Sequence, residues 1–287
     1  MSTTQADERN ADQIAYWNGA GGRHWAERQE HQDIVLASIL AAALARAAIR
    51  PGERVVDIGC GCGASAIELG RLVAPAGRVL GLDVSGPMLA RAAERLPPGL
   101  PVELVQADAT TYAFAPGSFD LLFSRFGVMF FAEPARSFAN LRRALRPGGR
   151  LAFACWRAPR ENPWMMLPLQ AAYEHVPRLP QLGPEDPGPF SFADPARVER
   201  ILGAAGFSAV ALAPFDLALD IATGKGLDAA VSAALEIGAT SRAIDGQPPA
   251  VLAAVAQSIR NALAPHQQGG GVPLAAAVWL VTATNTA

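Results

Sequence analysis

The sequence predicts a doubly wound α/β fold on a mostly parallel sheet, and three observations carry that expectation. Short β-branched runs alternate with stretches of helical apolar spacing, Pro-Gly pairs and glycine clusters punctuate the junctions, and one run, Val55-Val56-Asp57-Ile58, ends directly in Gly59-Cys60-Gly61-Cys62-Gly63. Strands separated by helices of about 10 to 15 residues imply right-handed crossovers, which cover a parallel sheet on both faces.

Taken in order, Ile34, Leu36, Ile39, Leu40 and Leu44 recur near helical spacing, so 33–50 reads as one helix stopped by Pro51-Gly52. Strand 54–58 follows, then the glycine cluster and a helix over 64–73. A second strand, 78–83, leads into helix 85–96 with Ser85 as N-cap and Pro87 in the first turn. Strands at 102–107 and 119–124 precede a helix at 134–145, and Pro147-Gly148-Gly149 turns the chain into strand 150–156. The stretch 157–192 breaks the rhythm with prolines at 159, 163, 168, 177, 180, 184, 187 and 189, and reads as an inserted cover or a surface loop. Asp194-Pro195 starts a helix that Gly206 ends, 209–222 reads as a strand, helices are expected over 227–237 and 249–263, and 274–284 is the last strand. The expected organisation is a helical N-terminal cover at 1–50 and a catalytic domain at 51–287, with 157–192 and 224–268 as substrate-cover insertions.

With 51% hydrophobic and 17% charged residues over 287 positions, the chain has ample apolar surface to bury and too little charge for disorder. A net charge of −2 offers no broad cationic field, so nucleic acid is not an expected partner. The greasiest stretches, 34–45 and 272–283, fall short of the roughly 18 apolar residues of a membrane span. Three cysteines cannot build a disulfide framework, and 1–12 carries Asp7, Glu8 and Asp12 without an apolar run. A cytoplasmic protein, not membrane-bound, is expected.

The glycine cluster is the sharpest chemical feature, because glycines between a strand's carboxyl end and a helix N-terminus let backbone amides approach a ligand. Gly59, Gly61 and Ala64 also satisfy G-x-G-x-x-A, which on its own would suit a nicotinamide dinucleotide. Two acids discriminate. Asp83 ends the second strand, 20 residues beyond Gly63, where a carboxylate can accept bonds from both hydroxyls of a ribose. Asp108 ends the third strand, where it can meet the exocyclic amine of an adenine.

With Asp57 two residues before the first glycine, this set resembles the class I S-adenosylmethionine-dependent methyltransferases, and within them the type 11 group that includes the C-methyltransferases of ubiquinone and menaquinone biosynthesis. The likeness covers 54–156, includes Leu145-Arg146-Pro147-Gly148-Gly149-Arg150-Leu151, and continues more weakly over 192–207. It implies a Rossmann-like sheet of seven strands whose last strand inserts antiparallel. It also implies that Gly59, Cys60 and Gly61 contact the methionine part of the cofactor and that Asp83 binds its ribose. Val84, Ser85 and Met88 would flank the adenosine, Asp108 with Ala109 would hold the adenine edge, and Ser124, Arg125 and Phe126 would face the methyl group.

The expected activity is methyl transfer from S-adenosylmethionine, leaving S-adenosylhomocysteine, to a small and partly apolar acceptor. Trp156, Trp164, Met165, Met166, Phe190 and Phe192 supply the apolar cover. The chain would act as a monomer or homodimer. Alternatives are a nicotinamide-dinucleotide oxidoreductase and a non-catalytic S-adenosylmethionine-binding protein. Cys60 and Cys62 without nearby histidines do not make a zinc site, so no metal is expected. Tyr16, Trp17 and Trp25 could face the sulfonium or anchor the N-terminal helix. Among His24, His31, His175 and His266 none sits in a recognisable catalytic arrangement, and His175 beside Glu174 and Tyr173 is the best placed. No catalytic base is assigned.

Overall fold

The computed structural model describes residues 3–183, 185–236 and 238–286. Pro184 of the proline-rich stretch and Ile237, the expected end of a helix, lie outside the described residues. Seven strands form one sheet in the order β3-β2-β1-β4-β5-β7-β6. Strands β1 (Arg54–Ile58), β2 (Arg78–Asp83), β3 (Val102–Gln106), β4 (Phe119–Arg125) and β5 (Leu145–Trp156) run parallel. The last strand, β7 (Pro273–Thr284), inserts antiparallel between β5 and β6 (Ser208–Asp220), as the family resemblance implies.

The chain begins with α1 (Thr3–Asn18), α2 (Ala20–Glu27), α3 (Gln29–Val35) and α4 (Ala37–Ala47). One helix over 33–50 is therefore corrected to two, parted at Leu36 (φ −98°, ψ 7°). The break lets α4 bury Ile39, Leu40, Ala43 and Ala47 against the sheet. Periodicity could not show this, because Ile34 is 60% exposed whereas Gln29 and Gln32 are buried.

Helix α5 (Ala64–Val73) follows the glycine cluster, and α6 (Gly86–Arg95) starts at Ser85, whose Oγ accepts the Met88 amide. Helix α7 (Pro134–Ala144) leads into β5, which begins five residues earlier than expected. Leu145 pairs with Phe119 before a bulge restores the register at Arg150 and Leu121.

The two irregular segments come together. Helix α8 (Pro163–Ala172) packs on α11 (Gly238–Ala243) and α12 (Pro249–Leu263), and α10 (Leu227–Glu236) joins them. Leu169, Ala172, Val176, Val231, Val255, Ile259 and Leu263 form a small core of their own, separate from the main core under the sheet. Between these segments α9 (Pro195–Ala204) is capped by Asp194, whose Oδ1 accepts the Ala196 amide at 3.0 Å. Among the described residues, no helix is long and apolar enough to cross a membrane.

Candidate active site

The carboxyl ends of β1, β2 and β4 converge on the glycine loop. Gly59 and Gly61 take φ of +67° and +54°, which L side chains adopt only under strain, and neither has room for one. A Cβ on Gly59 would sit 2.8 Å from Gly127 Cα, and one on Gly61 would sit 2.8 Å from Met88 Cε. The amides of Gly59 and Cys60 donate to Leu82 O at 2.8 and 3.0 Å, which ties the loop to β2. Ser124 Oγ donates to Ile58 O at 2.7 Å and accepts from Gly127 N at 3.1 Å, which ties the end of β1 to the turn after β4.

Asp83 completes the loop. Its Oδ2 accepts the Gly61 amide and its Oδ1 the Ser85 amide, each at 2.8 Å. Burial pushes this carboxyl above its usual range, against the pull of those backbone donors. Asp108 turns on itself through Thr110 N at 2.9 Å and takes a bond from Asn10 Nδ2 on α1. The same helix is held by Asn18, whose Nδ2 donates to Val84 O at 2.8 Å and whose Oδ1 accepts Gly86 N at 3.0 Å.

Below the loop, Asp57 is fully buried, and Ser65 Oγ donates to its Oδ2 at 2.6 Å. Desolvation raises its pKa to about 7. Burial conversely lowers that of Arg125, against the attraction of Asp33 and Asp57. Among the described residues, Asp57 Oδ1, Arg125 Nη1 and Gln32 Nε2 are buried polar atoms without a partner. Such atoms cost free energy unless a ligand or water meets them. The thiols beside them stay protonated, since burial raises Cys60 and takes Cys62 to about 12.

A cavity of about 860 Å³ opens from this loop. Of the residues expected at a cofactor, Gly59, Cys60, Gly61, Asp83, Val84, Met88, Asp108, Ala109 and Arg125 line it, as does Phe126. Ser85 and Ser124 do not, because their hydroxyls are spent inside the scaffold: Ser85 Oγ donates to Trp17 O at 2.6 Å, and Ser124 joins the two loops. The outer wall is aromatic. Phe126, itself at φ +67°, stacks on Trp156 with centroids 4.2 Å apart and planes 6° apart, and Trp164 lies 5.0 Å beyond. Met165, Met166 and Phe190 continue this wall, whereas Phe192 is packed into the main core beside Phe138 and Phe153. Tyr16, Trp17 and Trp25 close the opposite side, with Trp17 edge-on to Phe130 at 5.3 Å.

His175 is not in the cavity. Its Nε2 lies 2.8 Å from Ser258 Oγ, which donates to Glu174 Oε2 at 2.9 Å, so it clasps α8 to α12 on the surface. His31 does line the cavity, with a pKa lowered by burial and by Arg28 and Lys225, which leaves a neutral imidazole at neutral pH. Sequence reasoning missed Asn10, Gln32, Phe130 and Arg242 in this lining.

Residues 56–153 match a family model described as a methyltransferase domain. A 37.1 kDa protein of transposon TN4556 from Streptomyces fradiae is 40% identical over 102 residues, which make up 36% of this chain and only 30% of that relative. A ubiquinone/menaquinone biosynthesis C-methyltransferase from Serratia proteamaculans is 30% identical over 178 residues, 56% of this chain and 69% of the relative. Nocamycin O-methyltransferase from Saccharothrix syringae is 34% identical over 172 residues, 55% of this chain and 60% of the relative. Among solved structures, Haemonchus contortus phosphoethanolamine N-methyltransferase 2, in complex with phosphomonomethylethanolamine and S-adenosylhomocysteine, shares the fold with a TM-score of 0.53 at 20% identity. That match covers 87% of this chain and 53% of the other.

Proposed function

Because the chain belongs to the type 11 group of S-adenosylmethionine-dependent methyltransferases, we propose that it methylates a small, partly apolar molecule held between the glycine loop and the α8/α10/α11 cover. The observation that carries this reading is one continuous cavity, polar at the strand ends and aromatic at the cover. S-adenosylmethionine, when bound, supplies a methyl group already activated by the positive sulfur.

The residues present fit that cofactor. Gly59 and Gly61 bring bare backbone to the cavity lining, and Arg125 Nη1 with Gln32 Nε2 offers buried donors suited to the carboxylate of its methionine part. Asp83 keeps a second lone pair on each oxygen for the ribose hydroxyls, and Asp108 would meet the adenine amine. Ser85 and Ser124 take no direct part and act through the loops they fasten.

The remaining work of this chain is alignment and the exclusion of water. Phe126, Trp156 and Trp164 wall the acceptor, while 1–50 and the segments 157–192 and 224–268 act as its cover. Calorimetry with S-adenosylmethionine, followed by S-adenosylhomocysteine release in the presence of small aromatic acceptors, tests the reading. Cofactor binding with acceptor-dependent release supports it, and absence of cofactor binding refutes it.

A further inference from the structure

The cavity carries charge that the aromatic wall does not explain. Arg178, in the loop after α8, lies over the Tyr173 ring at 5.6 Å, and Arg242, on α11, lies over the Tyr16 ring at 5.9 Å. Both line the cavity, and neither forms an ion pair with a carboxylate among the described residues. Asp186, an acid in the same lining, accepts the Gly183 amide through Oδ2 at 2.7 Å and pairs with neither arginine. Deeper in, Trp164 Nε1 is a buried donor without a partner.

The two arginines come from the two different cover segments, yet both line one cavity. Pro177 and Pro180 flank Arg178, and Tyr173 Oη accepts the Leu179 amide at 3.3 Å, so this guanidinium is held before any ligand arrives. A guanidinium over an aromatic face keeps its in-plane N–H groups free for a carboxylate.

We propose that the acceptor is a planar, apolar small molecule bearing an acidic oxygen group, and that Arg178 and Arg242, which line the cavity unpaired, receive that group. Its body then lies along Trp164 and Met166, and a hydrogen-bond acceptor on it meets Trp164 Nε1. This deepens the methyltransferase reading and rests on it. The charge selects among acceptors and takes no part in cofactor binding, since the polar cofactor end is built from other residues.

The test uses the full chain saturated with S-adenosylhomocysteine, with coumaric acid and its neutral methyl ester as probes in calorimetry. The acid binds about tenfold tighter than the ester, the worth of one charge-assisted hydrogen bond. Arg178→Ala and Arg242→Ala each shrink that preference and together abolish it, Arg178→Lys keeps part of it, and affinity for S-adenosylhomocysteine stays unchanged. Equal binding of acid and ester, binding of neither, or variants that weaken both probes alike would overturn the proposal. Failure of S-adenosylhomocysteine to bind at all refutes the methyltransferase reading instead, and the cofactor titration reads that separately.

Discussion

Replacing Asp83 should separate what the carboxylate does for the fold from what it does for the ligand. Its two oxygens accept the amides of Gly61 and Ser85, both at 2.8 Å, in a site where the residue is only 8% exposed. Asp83→Ala leaves two buried donors unmet. At about 1.5–3 kcal/mol for each bond to a charged group the gross loss is roughly 3–6 kcal/mol. Burial of the carboxylate, which raises its pKa, already offsets part of this, so a net loss of about 2–4 kcal/mol is expected. For a domain of this size that lowers the melting midpoint by roughly 4–16 °C. Asp83→Asn keeps one carbonyl oxygen and the shape of the side chain, so it should destabilise less. Both variants lose ribose recognition, and cofactor affinity should fall about a hundredfold, the loss of two bonds near 1.5 kcal/mol each. Scanning calorimetry and cofactor titration read the two effects. An unchanged midpoint in Asp83→Ala would remove the carboxylate from loop anchoring, and an unchanged affinity in Asp83→Asn would remove it from the ribose.

Other outcomes follow from the same geometry. Asp57 has a folded pKa of about 7 against an ordinary value of 3.8, so the folded protein holds a proton that the unfolded chain has lost between those values. Its stabilising contribution is full below that window and falls by up to roughly 4 kcal/mol as pH rises through it. Asp57→Asn should therefore flatten the dependence of unfolding free energy on pH from 4 to 8, and a retained slope would assign it to other groups. Gly61→Val meets only the flexible end of Met88 and should fold with a strain of roughly 1–3 kcal/mol while losing its thermal response to the cofactor. Gly59→Val drives a branched side chain into the Gly127 backbone and should unfold at a clearly lower temperature, so equal midpoints for the two variants would contradict the difference in clearance at the two glycines. Trp164→Ala and Met166→Ala should keep cofactor affinity within about twofold and impair turnover, since both side chains belong to the apolar cover and not to the glycine loop. His175→Ala, being outside the cavity, should change neither, and a large loss of turnover there would reopen its role.

The strand ends and their chemistry were readable because they are local. Val55-Val56-Asp57-Ile58 forms a buried strand from its own β-branched residues, the glycines must follow where backbone meets ligand, and Asp83 and Asp108 stand at the ends of their strands in chain order. Those features hold within a few residues, so the sequence by itself determined the parallel core, the cofactor class and the two acids that line the cavity.

Tertiary structure decided the rest, because the forces concerned act between residues far apart in the chain. Leu36 bends the first core helix although no proline or glycine marks it, and that bend brings Gln32 to Arg125 in one lining. Ser124, which the family resemblance implies would face the methyl group, turns its hydroxyl to Ile58 O and becomes a fastener. The segments 157–192 and 224–268 look independent in sequence, yet each is too short to bury its apolar face alone, and they share one core through α8 and α12. Only that packing brings Arg178 and Arg242 into the lining of one cavity. Burial and charge placement depend on which surfaces meet, and a linear pattern records the surfaces without recording the meeting.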